Sequence, residues 1–450
     1  MQTQRASSLF QRLPLAVLLS LAFAGTSQAQ SLVDMYEMAK GYDAGYQAAK
    51  AQYLANQAKA DQGKSALLPT LGLNGGATRS DRSLTPQSSS SDYSYTTQTA
   101  GLNASQPLYR PANFAAYQQS QKTLEIAQAA LNQAEQDLIV RTTQAYFEVL
   151  AAQQSLTFVQ AQKSAVAEQL ASAKRNFEVG TSTITDTREA QARYDLVIAQ
   201  EIAADNDLRV KKVALELLVG KSGITPLSLS PQAKLPPVTG ANADEWIAQS
   251  LQSHPGIQQA RVNLDIAKLE TTKAEAGHKP TVDFTLGYNV QKNIGGTSVT
   301  PISGQNQITI ASAGITASMP IFAGFATQNR IRETVALEDK ARNDLEGAQR
   351  QVAQATRTAY LGLQSGLGQV KALEAAESSS QAALDANKLG YQVGVRINID
   401  VLNSQSQLYQ TKRDLAKARY DVLLGQLKLR QANGTLKAED LQSINALLQK

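Results

Sequence analysis

Cysteine is absent from all 450 residues. Its absence excludes disulfides, thiolate metal sites, a cysteine nucleophile and a lipid-modified cysteine at a processed N-terminus. Histidine occurs only as His254 and His278, in unrelated contexts, so no histidine-based metal centre is expected. Aromatic residues make up 6 %, too few for a bulky globular core, whereas Ala, Gln, Leu and Val are abundant. That balance favours long helices packed through small side chains. No run of about 20 apolar residues follows the first segment, so no transmembrane helix is expected in the mature chain. Charge of one sign is also lacking. Removing Arg5 and Arg12 from 43 basic residues leaves only a small excess over 38 acidic ones, which gives no case for a nucleic-acid partner.

Residues 1–29 have the pattern of a signal peptide. Arg5 and Arg12 supply the basic start, Leu13 to Gly25 a short apolar run, and Ser27-Gln28-Ala29 a small-x-small cleavage site.

The remaining chain repeats itself. Phe177-Glu-Val-Gly-Thr-Ser-Thr-Ile-Thr-Asp186 is echoed by Tyr391-Gln-Val-Gly-Val-Arg-Ile-Asn-Ile-Asp400, both ending glycine-to-aspartate in the same frame. Gly180 and Gly394 lie 214 residues apart (394 − 180), as do Asp186 and Asp400 and the pairs Ala145-Tyr146 and Ala359-Tyr360. Pro107 pairs with Pro320 and Pro69 with Pro280 at nearly the same offset. The pattern indicates a duplicated structural unit. Residues 30–220 form the first repeat and 243–435 the second. A proline-rich connector occupies 221–242, with Pro226, Pro231, Pro236 and Pro237, and a tail covers 436–450.

Each repeat predicts a shorter helix, a β-hairpin, a very long helix, a turn and a return helix. The hairpins are placed at 69–108 and 280–320. Val282, Phe284, Leu286, Tyr288 and Val290 alternate with polar or small residues, the mark of a strand with one lipid-facing side. Alternation is weaker in the first hairpin, and the spacing places the connecting loops at 79–92 and 293–306. Ala112 to Glu178 contains neither proline nor glycine, enough for a helix of about 100 Å. Tyr117, Leu124, Leu131, Leu138, Ala145, Ala152, Val159, Val166 and Ala173 recur every seven residues along it, a coiled-coil packing seam. The second long helix is placed at 326–389, and the return helices at 186–219 and 400–432.

No catalytic constellation emerges, and no cofactor or metal is expected. Gly220-Lys221-Ser222 imitates the end of a phosphate-binding loop, but Leu215 stands where that loop requires glycine. Gly366-Leu367-Gly368 lacks a third glycine, and His254-Pro255 marks a helix start. A periplasmic coiled-coil adaptor or scaffold without its own barrel is the alternative class. The alternating strand at 282–290 disfavours it.

The two Val-Gly turns, the proline-flanked strand pairs and the halves together resemble the TolC-like outer membrane factor family. So does Ala418-Arg419-Tyr420-Asp421 with the later Asn433-Gly434-Thr435-Leu436. The resemblance implies an α+β membrane protein of the cell outer membrane. It would be a homotrimeric 12-stranded β-barrel, with four strands per chain, continued by a long helical coiled-coil tunnel in the periplasm. The implied function is an exit duct for secreted proteins or toxic compounds. The implied partners are outer-membrane lipid, a periplasmic adaptor (membrane fusion) protein and an inner-membrane ABC transporter or proton-driven pump. Carried over by position, the adaptor-docking residues are Val179, Gly180, Thr181, Val393, Gly394 and Val395. Polar gate links are implied for Asp186 with Tyr391 and Thr185 with Arg396. Asp400 takes the first position of an acidic pore constriction. Asn403 takes the second, where the family pattern has a carboxylate. A capping role for Asp400 at the start of its helix is the plain alternative.

Overall fold

The computed structural model describes residues 30–84, 91–230, 233, 235–237, 242–295 and 305–449. The expected signal segment lies outside the described residues. Two structural units divide the chain along different lines from the repeats. One collects the chain up to Gln47, Glu135–Trp246 and Thr356–Lys450; the other collects Ala48–Ala134 and Ile247–Ala355. Each unit therefore draws on both halves of the sequence.

The element order is the same in each half. The first contains α1 (Leu32–Tyr42), α2 (Ala44–Gly63), β1 (Thr70–Leu84), β2 (Ser91–Tyr109), α3 (Pro111–Glu178) and α4 (Ile184–Val219). The second contains α5 (Ala243–Ser253), α6 (Pro255–Glu275), β3 (Thr281–Ile294), β4 (Gln305–Ser318), α7 (Ala326–Gln392) and α8 (Asn398–Ala432), followed by the short α9 (Asp440–Asn445). The single short helix expected before each hairpin is two helices. In the first half Asp43 separates them and caps the next turn, its Oδ1 accepting from the Tyr46 N–H at 2.7 Å. In the second half His254 is the N-cap and Pro255 the first helical residue, where its missing N–H costs nothing.

Within the second unit the four strands form one antiparallel sheet in the order β1-β2-β3-β4. The register makes each face a set of rows. Leu71, Ala104, Leu286 and Ala313 lie side by side, and Leu73, Leu102, Tyr288 and Ala311 form the next row. Ile315 and Ala317 continue this face beside Phe284 and Val282. The opposite face carries Asn74, Gly101 and Asn289 in one row and Thr78, Thr97 and Asn293 in another. Asn103 Nδ2 donates to Asn74 Oδ1 at 2.7 Å, and Thr97 donates to Asn293 at 2.9 Å. A Cβ on Gly101 would come within 2.1 Å of Asn289 Oδ1, so a larger residue here would displace that amide.

The strands run further than the sequence suggests. Arg79 to Leu84 pair residue for residue with Thr96 to Ser91, and Asn293 pairs with Asn306. Residues 85–90 and 296–304 lie outside the described residues; strand thus takes in 79–84 and 91–92 of the first expected loop and 293–294 and 305–306 of the second. These rows are polar on both sides, so they lack the alternation that marks a half-buried strand. The β2–β3 register shifts between Pro107 and Tyr109, which then pairs with Val282, as fits a proline that has no N–H to give.

The helical part of this unit is tied together at Glu270. Gln119 Nε2 and Arg330 donate to its two oxygens at 2.9 and 2.7 Å, and Lys273 lies at 3.1 Å. These contacts hold the Glu270 carboxyl down at about 2.

In the first unit the seven-residue stripe is a packing seam. Val159, Val166 and Ala173 of α3 are buried against Ala190 and Val197 of α4 and Leu402 of α8. The connector is pinned in the same unit. Pro226 pairs with Gln30, Leu229 pairs with Leu448, and the buried Tyr146 hydroxyl donates to the Leu227 carbonyl at 2.9 Å.

Candidate functional site: the two inter-helix turns

Both long helices of the first unit end in the same motif. At α3 the Gly180 N–H donates to the Phe177 carbonyl and the Thr181 N–H to Asn176, at 3.0 and 2.8 Å. At α7 the Gly394 N–H donates to Tyr391 and the Val395 N–H to Gly390, at 3.2 and 2.8 Å. These are Schellman turns. Gly180 and Gly394 have φ of 78° and 79°, the left-handed region that glycine enters without penalty.

The turns are apolar and open. Val179 is 73 % exposed, Val393 65 % and Val395 78 %, and nothing lies within 4 Å of where a Cβ would stand on either glycine. Thr181 is tied back to its own helix by its hydroxyl, which donates to the Asn176 carbonyl at 3.1 Å. Val395 has no such group.

The return helices start differently. Thr183 caps α4 in a reciprocal box: its Oγ1 accepts from the Asp186 N–H at 3.2 Å, and its own N–H donates to Asp186 Oδ2 at 3.0 Å. The Thr183 and Ser182 hydroxyls donate to the same oxygen at 2.8 and 3.1 Å. Partial burial raises the Asp186 carboxyl, but these hydrogen bonds outweigh it and leave the group below its usual range. At α8 the N-cap is Ile397, which offers no side-chain acceptor. The capping alternative for Asp400 does not hold: its carboxylate lies 3.7 Å from the Arg396 guanidinium and is one-third exposed.

The four gate residues are not paired with one another inside the chain. Asp186 is occupied by its own cap, and the Tyr391 hydroxyl accepts instead from Asn176 Nδ2 at 3.2 Å. Arg396 faces Asp400 rather than Thr185, which is exposed. Asp186 and Arg396 find their partners within about one helical turn, with no further ordering of the backbone, whereas Tyr391 takes its partner from the other long helix. Asn403 Oδ1 accepts from Arg193 at 2.8 Å.

The sequence reading missed the residues that join the two halves here. Asn398 is fully buried; its Oδ1 accepts from Gln169 Nε2 at 2.6 Å and its Nδ2 donates to the Asp186 carbonyl at 3.1 Å. The available signal was a breach of repeat symmetry. Asn398 stands where the first repeat has Ile184, and Ile397 stands where it has Thr183.

Residues 10–221 and 246–435 match the family described as Outer membrane efflux protein. The chain is 33 % identical over 420 residues to "Outer membrane protein TolC" of Vibrio cholerae serotype O1, covering 93 % of this chain and 94 % of that one. It is 29 % identical to "Proteases secretion protein PrtF" of Dickeya chrysanthemi, covering 97 % and 94 %. Among solved structures, the outer membrane protein VceC of Vibrio cholerae superposes with a TM-score of 0.75 at 20 % identity, over 90 % of this chain and 96 % of that one.

Proposed function

The chain belongs to the outer membrane efflux protein family, and from that premise we propose how its two turns and its sheet serve an exit duct. It is an outer-membrane protein with a large periplasmic helical part, built as an export channel. The adaptor or scaffold alternative falls away. The sheet carries the reading. One face of it is Leu71, Leu73, Leu102, Leu286 and Tyr288, all exposed, and the other is Asn, Thr and Gly. Such a sheet is stable in a bilayer only as part of a closed barrel with lipid outside and water inside. Four strands are too few to close, since the smallest single-chain barrels have about 8. Three copies supply twelve strands without a free edge.

In this reading Val179, Gly180, Thr181, Val393, Gly394 and Val395 dock a periplasmic adaptor, which couples the duct to an inner-membrane ABC transporter or proton-driven pump. The exposed valines offer apolar area, and the open glycines expose backbone. The likeness to a protease secretion protein supports secreted proteins as cargo, and the family description supports small toxic compounds as well. No reaction is assigned to the chain. Asp400, three times around one axis, makes the constriction prefer cations, as acidic rings do in cation-selective pores.

The test is conductance of the purified trimer in planar bilayers. Wild type is expected to select cations and to be blocked by multivalent cations from the periplasmic side, and Asp400→Ala to weaken both. Because Arg193 holds Asn403, Asn403→Asp alone should change little, whereas Asn403→Asp with Arg193→Gln should deepen the block. Equal selectivity and block in wild type and Asp400→Ala would remove Asp400 from the constriction.

A further inference from the structure

Along α8, Asn403, Gln407, Gln410 and Asp414 form an outward row, while Leu402, Gln405, Leu408 and Leu415 face inward. Beside that row α3, α4 and α8 enclose a groove of about 390 Å3. Two guanidinium groups line it, those of Arg193 and Arg413, and its lining contains no carboxylate among the described residues.

Other arginines of this unit have carboxylate partners: Arg141 pairs with Asp43, Arg357 with Asp244 and Arg419 with Glu374. Arg413 donates to Gln162 Oε1 at 3.2 Å and Gln410 Oε1 at 2.7 Å. Arg193 donates to Asn403 Oδ1 at 2.8 Å. These acceptors are neutral, and the carboxylate of Asp414 only partly offsets the Arg413 charge. The neighbouring Asp414 is exposed and takes its hydrogen bond from Gln410. Burial pushes the Arg413 guanidinium below its ordinary value, although an arginine does not give up its proton in a protein. Ser406 also lines the groove, and its hydroxyl oxygen is buried without a hydrogen-bond partner in the chain. A partly buried cation with neutral partners in the same groove as an unused hydroxyl is an environment that an anion relieves. The guanidinium fork matches the paired oxygens of a carboxylate or phosphate.

We propose that this groove is a binding site for a small oxyanion, held by Arg193 and Arg413 with the Ser406 hydroxyl as a further donor. The volume suits a small solute. The placement of the groove inside the duct rests on the export reading; the binding does not. With Asp400 three residues before Asn403 on the same helix, an anionic solute leaving through the duct has a cationic station beside the acidic one.

Calorimetric titration of the purified full chain in its native oligomer, with succinate and separately with inorganic phosphate, tests this. One saturable site per chain is expected for at least one of them. Succinate alone assigns carboxylates, phosphate alone assigns phosphoryl groups, and both together assign oxyanions in general. Arg413→Gln and Arg193→Gln should each weaken binding by about ten-fold or more, the effect of losing one charge-assisted contact. Ser406→Ala should weaken it less. The proposal is overturned if wild type binds neither probe at millimolar concentration, or if the double arginine variant binds as wild type does. It is also overturned if that variant loses its oligomeric state, because the guanidinium groups would then serve a subunit contact. Conductance and its block at Asp400 remain measurable in every case, so failure here is distinct from failure of the duct.

Discussion

At the first turn Thr183 closes a capping box and Ile184 lies exposed; at the second, Ile397 is exposed and Asn398 is buried. The polar residue has moved one place along an otherwise repeated backbone. At the first turn it satisfies the helix start, and Asp186 is consumed locally. At the second it reaches across to the other hairpin, and Asp400 keeps its carboxylate for Arg396 and for whatever enters the site. Duplication supplied two equal turns, and one substitution in each made one a self-contained cap and the other a joint. The difference shows how an aspartate at the same repeat position can be held in a cap in one half and left to an ion pair in the other.

The strongest way to break the comparison is at the joint. Asn398→Leu strands the Gln169 amide and the Asp186 carbonyl, so stability should fall by about 2–3 kcal/mol. Hydrogen exchange should rise at both turns together. Ile184→Asn at the equivalent exposed position should change stability by no more than about 0.5 kcal/mol. Equal effects of the two substitutions would show that the halves are not joined through Asn398.

Exchanging the caps comes next. Thr183→Ala should cost about 1 kcal/mol, the ordinary value of a lost N-cap. Ile397→Thr should build the missing box with Asp400 and add a similar amount. That gain should come with a weaker multivalent-cation block, because the box takes the carboxylate. A stabilised variant with an unchanged block would show that Asp400 is not the blocking group.

The joint could not be seen in the sequence, since its hydrogen bonds connect residues 229 and 212 apart, and Arg193 reaches Asn403 across 210. Nothing local marks such pairs. The turns, by contrast, were legible because a glycine at positive φ and a helix without proline are dictated within a few residues. The shared face of Val282, Phe284, Leu286, Tyr288 and Val290 was legible for the same reason, since the segment alternates strictly. The strand ends at 79–84 were not, because a sheet wetted on both sides has no pattern to distinguish it from a loop. The second short helix of the first half was hidden at Asp43, which reads as a helix residue until its capping bond is seen, whereas His254-Pro255 marked its counterpart in the second half.

The smallest effect concerns acid. A carboxyl held below its ordinary 3.8 contributes stability that is complete above that value and is lost as pH falls through the lower folded value. The first turn should therefore loosen only below about pH 4. Asp186→Asn should be less stable at neutral pH and insensitive to acid in that window. Amide exchange at residues 183–187, corrected for intrinsic rate, is the measurement. A first turn that loosens well above pH 4 would contradict the hydrogen-bonded state of Asp186.

The sheet also sets a height. Its apolar rows run from Val282 beside Ala317 to Val290 beside Thr309, and the next row on that face, Ala77, Gln98, Lys292 and Gln307, is largely polar. Eight steps of about 3.4 Å, leaned over by roughly 40°, leave an oily belt only about 20 Å tall. Such a belt matches a membrane thinner than average, as the bacterial outer membrane is. On the duct reading, the rows beyond Lys292 form a wet collar at the end of that belt.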